Sequence, residues 1–337
     1  MPGKSWGDVM SKRILIVGCG QLGSRHLQAL AQLKNIGTID IVDPSKEGLA
    51  LGQQRLGEVQ ERNPQVHCRW FERLAQAGLG GDLCIVATQA KGRAMLIQQI
   101  AQQLQYKNFL VEKIVTQTVG EYERLLQLAQ QGGLSVWVNC KTRAYRIHQY
   151  IQSKLTPGQR LTFTRTAGNH GLASNGIHAA DLFCFYTSAS AMNLVGARID
   201  PQLHSSKRGS EVFDLSGGLY ATSDRGDDFT VSFHQDHDGP DTITVTDANS
   251  RFIVDHQQKT MFESLRQDQW RWRMVPLQEQ YEVSHMTKVF AADILGQGHC
   301  ALPTLQQCYP AHAFILTALG PYFNKFLDRA DFLSPVT

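Results

Sequence analysis

Apolar stretches such as Ile14–Val17 and Leu83–Ala87 fall far short of the roughly 20 residues that cross a bilayer, so no membrane helix is expected. No C-x-x-C pair occurs. The seven cysteines, Cys19, Cys68, Cys84, Cys140, Cys184, Cys300 and Cys308, are odd in number and widely spaced, which argues against a disulfide framework and leaves reduced thiols. An excess of charge is missing too. The formal net charge is +3, and the basic residues are scattered rather than gathered into a stripe, which excludes nucleic acid as the expected partner. Met1–Met10 contains no apolar signal region, so a cytoplasmic location is expected, with residues 1–11 a loose extension and Met10 an alternative start. No internal repeat and no low-complexity segment interrupts the chain.

What is present is an ordinary globular composition, 42% hydrophobic and 19% charged, over 337 residues, a length that suits two domains better than one core. Apolar strand-like runs alternate with helical stretches up to Asn139. The strands are Lys12–Val17, Thr38–Val42, Val66–Phe71, Leu83–Ala87, Asn108–Val111 and Leu134–Val138. Helices are expected at Gln21–Leu33, up to about Leu56, at Arg93–Leu104 and at Val119–Gln130. Such alternation implies right-handed crossovers and a doubly wound parallel sheet covered on both faces, an α/β fold over residues 12–139.

Beyond Asn139 the pattern changes. A helix at Tyr145–Lys154 precedes strands at Leu161–Thr166, Asn193–Ile199, Gly218–Thr222, Phe229–His234, Thr242–Asp247 and Phe252–Val254, with a helix at Gly176–Tyr186. Helices at Tyr281–Leu295 and Leu305–Leu319 close the chain, the last opened by a Thr304–Gln307 capping box. Residues 140–337 thus form a second α/β domain on a largely antiparallel open sheet, expected to bind substrate. Its uncovered face is expected to pair with other copies, giving a homodimer or homotetramer.

Gly18-Cys19-Gly20-Gln21-Leu22-Gly23 matches G-x-G-x-x-G and lies between a strand and a helix. Gly18 permits the turn, Gly20 admits a pyrophosphate to the backbone, and Gly23 lets helix pack on strand, while the helix start offers N–H groups to the anion. Asp43 closes the second strand roughly 20 residues on, placed to accept hydrogen bonds from a ribose. The carboxylate favours NAD over NADP because it would repel a 2′-phosphate; Ser45 and Lys46 offset that, so NADP stays open.

These residues, with His26 after the glycines, Ala87-Thr88-Gln89 at a strand end, Val111-Glu112-Lys113, and Gly176-Ile177-His178 with Asp181, resemble the Gfo/Idh/MocA family of sugar and polyol oxidoreductases. The resemblance spans most of the chain in motif order. It implies a nicotinamide cofactor held by the glycine turn, Asp43, Ala87, Thr88, Gln89, Glu112, Lys113 and Asn139. It also implies Lys113 and His178 facing each other across the interdomain cleft. The chemistry suits them: removing a hydride from an alcohol needs a base for the proton and a cation for the oxygen. Asp181 is expected to orient His178. Lys113, Arg143, Asn175 and His178 are expected to bind a sugar-like substrate, with Lys141, Arg165, Asn169 and His170 nearby.

Two departures stand out. Ile114 replaces the family's proline after the lysine, loosening the expected placement of Lys113. Ser174 replaces the family's acidic residue four before the histidine, and a hydroxyl is no base near neutral pH without activation. Either His178 works alone, or the reaction is a reduction in which Lys113 and His178 donate protons, or dehydrogenase activity is lost. Three alternatives to a simple dehydrogenase therefore stay open: a hydrolase or lyase with transient oxidation, a reductase of a conjugated or imine compound, and a non-catalytic NAD(P) sensor. No metal is expected, although His234-Gln235-Asp236-His237-Asp238 gathers ligand-type residues.

Overall fold

The computed structural model describes residues 11–205, 211–276, 282–331 and 333–336. The extension expected over residues 1–11 lies outside them except for Ser11, as does Tyr281, expected to open a helix. Six parallel strands come first: β1 (Lys12–Val17), β2 (Ile36–Val42), β3 (His67–Phe71), β4 (Leu83–Val86), β5 (Asn108–Val111) and β6 (Ser135–Val138). They alternate with α1 (Gly23–Leu30), α2 (Lys46–Gly57), α3 (Arg93–Gln103) and α4 (Val119–Gly132). The order β3-β2-β1-β4-β5-β6 reverses direction between β1 and β4, which opens a crevice beyond their carboxyl ends.

Burial on both faces explains the unbroken apolar strands. Ile14 and Ile16 pack with Leu27 and Leu30 of α1 on one side, whereas Leu15 and Val17 join Ile97, Ile100, Tyr122 and Leu125 on the other.

The second half continues with α5 (Arg146–Lys154), β7 (Thr162–Ala167), α6 (Leu172–Thr187), β8 (Met192–Ile199) and the short pair β9 (His204–Ser205) and β10 (Phe213–Asp214). Then follow β11 (Gly217–Ser223), β12 (Asp228–Phe233), β13 (Thr242–Thr246), β14 (Ser250–Asp255), β15 (Thr260–Leu265) and β16 (Trp272–Pro276), and finally α7 (Val283–Gln297) and α8 (Leu305–Leu327). Eight of these strands form one sheet, ordered β16-β15-β14-β13-β7-β12-β11-β8, antiparallel except where β7 meets β12. Alternate residues Phe163, Phe229, Val231, Phe233, Ile243 and Val245 turn inward beneath α6 and α8, and the opposite face carries Thr162, Thr164, Thr166, Thr230, Thr242, Thr244 and Thr246.

β15 and β16 are absent from the strands expected from sequence. The reason is Glu263, which takes an inward position on β15 at 2% exposure, where it meets Arg273 and Tyr150. A charge at a core position erases the alternation that marks a strand. α8 runs past the expected Leu319 end because Phe323 extends the buried stripe of Leu316 and Leu319 beyond Pro321. Its capping box holds: Thr304 Oγ1 accepts the Gln307 N–H at 3.2 Å, and Gln307 Oε1 accepts the Thr304 N–H at 2.9 Å.

The chain also returns to its beginning. Phe290, Ala291 and Ile294 of α7 share a core with Ile14 and Leu27, and the Val138 N–H donates to Pro303 O at the edge of the first sheet. A division after Asn139 leaves this return out. Among the described residues no helix is long and apolar enough to cross a membrane.

Two fully buried histidines set an acid limit on this fold. His148 is held well below the ordinary imidazole range by burial, then by His256 and Arg165. His312 is brought to about 3 by burial, then by nearby Arg93 and Lys113, although its bond to Cys308 O pulls the other way. Each is neutral when folded but titrates normally when unfolded, so protons favour the unfolded chain below about pH 6.5. Unfolding free energy measured in urea should fall with acidification from that pH, by up to about 1.4 kcal/mol per pH unit for each histidine. His312→Gln should flatten the slope; an unchanged slope would refute its assignment.

Candidate active site

The glycine turn lies in the crevice between β1 and β4. Gly18 has φ +87°, and a Cβ there would stand 2.9 Å from the Ala87 carbonyl carbon. A Cβ on Gly23 would fall 1.8 Å from Gly18 O, whereas one on Gly20 would meet nothing within 4 Å. The three glycines thus divide their labour: two close the turn, and the middle one faces open space. Among the described residues the N–H groups of Gly20, Gln21 and Leu22 have no acceptor, which leaves them to an anion at the start of α1. Cys19, wholly buried beside Gly52 and Trp70, has its thiol pushed up to about 12, first by burial and then by Asp43; it packs and does not attack.

Asp43 stands beside the turn at the end of β2. Its Oδ2 accepts the Cys19 N–H at 2.5 Å and its Oδ1 the Ser45 N–H at 2.8 Å, so the carboxylate is fixed in position with lone pairs to spare. Ser45 caps α2 and donates to Glu47, which puts a second acid at the start of α2. Arg55, which the motifs do not flag, reaches from α2 to Gln21 O, Gln21 Oε1 and Ser24 Oγ and braces the turn. These residues fit a dinucleotide.

At the ends of β4 and β5 the expected residues converge, with changed partners. The Ala87 N–H donates to Val17 O, and Thr88 and Gln89 form the adjoining loop. Glu112 turns inward. Its carboxylate meets His26 Nε2 at 2.9 Å and the Asn139 amide at 2.6 Å. Burial alone would raise its pKa, but the hydrogen bond and charge of His26, then Asn139, then Lys113, bring it to about 2. Contrary to expectation, the Glu112 carboxylate and the Asn139 amide are therefore spent on each other and on His26. The motif histidine and motif glutamate, 86 positions apart, lock the turn's helix to the lysine's strand.

Lys113 is held despite the missing proline. The Lys113–Ile114 peptide is cis, and Nζ donates to Ser174 O at 2.5 Å, across the cleft on α6. Two residues that sequence reasoning missed fix its loop. Arg93, 1% exposed, donates Nη1 to Glu112 O at 2.6 Å and Ile114 O at 2.5 Å, and Nη2 to Thr88 O. His312 Nε2 accepts the Val115 N–H at 3.2 Å. No motif marks either one.

α6 begins at Leu172, four residues earlier than expected, because Asp214 on β10 accepts the Ala173 and Ser174 N–H groups at its start. Ser174 and His178 therefore share one helical face. Ser174 Oγ accepts the Asn175 amide at 3.2 Å, and His178 Nδ1 is buried without a partner. His178 lies well below the usual imidazole range, chiefly through burial and then through Lys113, Arg165, Lys141 and His170. It is a neutral ring.

Asp181 does not orient His178. It forms a buried ion pair with Arg143, with distances of 2.8 Å from Nε and 2.5 Å from Nη2. That pairing also corrects the expectation for Arg143, whose guanidinium is consumed inside the protein rather than offered to substrate. Asn169 is exposed in a left-handed loop, while His170 rests edge-on against Phe233. His234, Asp236 and His237 bring one ligand atom each within 4.8 Å of one another. His237 Nδ1 already accepts the Gly239 N–H, and His234 Nε2 lies 3.0 Å from Ser232 Oγ.

Residues 12–140 match the Gfo/Idh/MocA family model, described as an oxidoreductase family with an NAD-binding Rossmann fold. This segment is similar to the NAD-binding Rossmann domain of that family. The fold is shared over nearly the whole chain with solved structures. UDP-N-acetylglucosamine 3-dehydrogenase from Acidithiobacillus ferrooxidans is 17% identical, with TM-score 0.69, over 91% of this chain and 96% of that one. A 3-ketoreductase from Actinomadura kijaniata, solved with NADP and TDP-benzene, is 15% identical with TM-score 0.69 over 90% and 96%. An Agrobacterium radiobacter oxidoreductase, solved with NAD+, L-tartaric acid and magnesium, is 14% identical with TM-score 0.70 over 90% and 94%. No curated protein sequence matches the chain.

The glycine geometry separates folding from binding. Gly23→Ala should lower the thermal midpoint because its Cβ has no room. Gly20→Ala should leave that midpoint within a degree or two yet weaken NADH binding at least tenfold, read by NADH fluorescence. Equal stability losses in both would contradict the division of labour.

Proposed function

We propose that the protein transfers a hydride between a nicotinamide cofactor, NAD in preference to NADP, and a hydroxyl or keto carbon of a sugar, polyol or sugar nucleotide. The observation that carries this is the meeting of Lys113, from the dinucleotide-binding half, with the Ser174–His178 face of α6, from the other half. Neutral His178 takes the alcohol's proton on oxidation, and Lys113 holds the oxygen on which charge develops. Bound nicotinamide supplies the hydride acceptor. Ser174 contributes its backbone carbonyl, which anchors the Lys113 ammonium, rather than a base. The serine departure therefore leaves an acceptor for the proton in place and favours catalysis over a sensor. Asn175, next to Ser174, is the remaining expected substrate contact.

The preference for NAD is supported by Asp43 and Glu47, two acids between the end of β2 and the start of α2 that would repel a 2′-phosphate. The threonine-rich face of the large sheet, flanked by exposed Leu194, Tyr220, Phe262, Trp272 and Met274, supports self-association into a homodimer or homotetramer. Seven free thiols suit a reducing cytoplasm.

Lys113→Ala should keep NADH affinity within about threefold while lowering turnover at least a hundredfold; a variant with unchanged turnover on an active substrate would reject the role of Lys113. Because His178 is held neutral, kcat/KM for oxidation should show no loss to its protonation between pH 8 and pH 6, with the acid limb falling well below 6.5. A limb at 6.5 or above that disappears in His178→Gln would reject a neutral base.

A further inference from the structure

Arg165 lies on the inward face of β7, between Val231 and Ile243, at 5% exposure. Its Nε and Nη2 engage the Asp241 carboxylate at 2.8 and 2.7 Å, and its guanidinium carbon sits 5.4 Å from the centre of the Phe233 ring. Nη1 is also buried, and no described residue accepts from it. The same ring of Phe233 carries His170, which with Lys113, Lys141 and Arg165 bears on His178.

The neighbouring carboxylates are already engaged. Asp241 is held by Arg165, Asp214 by the N–H groups of Ala173, Ser174 and Leu215, and Glu112 by His26 and Asn139. The position on α6 from which an acid would face Lys113 is Ser174. A buried guanidinium N–H without an acceptor is costly, and none of the described residues supplies one.

Building on the oxidoreductase reading, we infer that the substrate brings the missing acceptor itself: a carboxylate, carried close to the reacting carbinol carbon, that pairs with Arg165 Nη1. The substrate class narrows to hydroxy acids and sugar acids. A sugar nucleotide offers the same negative charge through its diphosphate. In a sugar nucleotide that group hangs from the anomeric carbon rather than beside a ring carbinol, whereas Arg165 is close enough to His178 to act on its charge.

The test uses NADH-loaded protein titrated with L-tartrate, with L-threitol as its neutral counterpart and with inorganic diphosphate, at constant ionic strength. NADH fluorescence and calorimetry both serve as readouts. L-Tartrate should bind saturably and at least tenfold more tightly than either of the others. That advantage should vanish in Arg165→Met and equally in the double variant Arg165→Met/Asp241→Asn, which removes both charges so that no buried carboxylate is left unpaired. Arg160→Met, which alters an exposed arginine, should change nothing. Tartrate binding no better than threitol, or unaffected by loss of Arg165, overturns the inference, and Arg165-dependent binding that favours diphosphate overturns the carboxylate assignment. Failure of NADH to bind counts instead against the oxidoreductase reading, and calorimetry with tartrate on the NADH-free protein still reports the anion.

Discussion

The buried guanidinium of Arg93 gathers carbonyls from two loops, Thr88 after β4 and Glu112, Ile114 and Val115 after β5. Strand ends at the carboxyl edge of a parallel sheet leave carbonyls without ladder partners, and a planar fork of N–H donors can satisfy several at once. With the Val115 N–H held from the other side by His312, the backbone on both sides of Lys113 is fastened before its side chain extends. The direction of the Lys113 ammonium is thus a property of the fold and does not depend on the proline that the family carries at position 114.

A second tie works at right angles to the first. Glu112 accepts from His26 and Asn139, and His26 also meets Thr287 on α7. One carboxylate therefore joins the helix that follows the glycine turn, the strand that delivers Lys113, the end of β6 and a helix from the far end of the chain. Neighbouring Glu112 and Lys113 divide the work: the anion is buried in the scaffold so that the cation can face the cleft.

The residues legible in the sequence are those whose role is local. Gly18, Gly20 and Gly23 declare themselves because a turn, a close approach and a helix-to-strand contact all fall within six positions. Asp43 follows because a strand's length sets its distance. The strand end that carries Lys113 and the helix that carries His178 are legible too, but their mutual approach rests on Arg93, Asp214 and His312, whose partners lie in other elements. The same holds for Arg143 and Asp181. Spacing on α6 suggested that Asp181 serves His178, yet a guanidinium 38 positions away claims it. The return of α7 onto α1 and the inward charge of Glu263 in β15 were invisible for the same reason: periodicity reports which face of an element is buried, not what buries it.

The exchange of an acid for Ser174 changes the electrostatics of His178 more than its geometry. A carboxylate on the same helical face would raise the ring's proton affinity; with serine there, Lys113, Lys141 and Arg165 act with burial to lower it. A neutral imidazole can accept a proton at once but must first acquire one in order to donate. On the proposed function, the free protein is accordingly set for oxidation. An anionic substrate would partly offset the three cations on binding and raise the ring's affinity for the proton it is about to receive, so that the group lost from the helix is supplied by the molecule on which it would have acted.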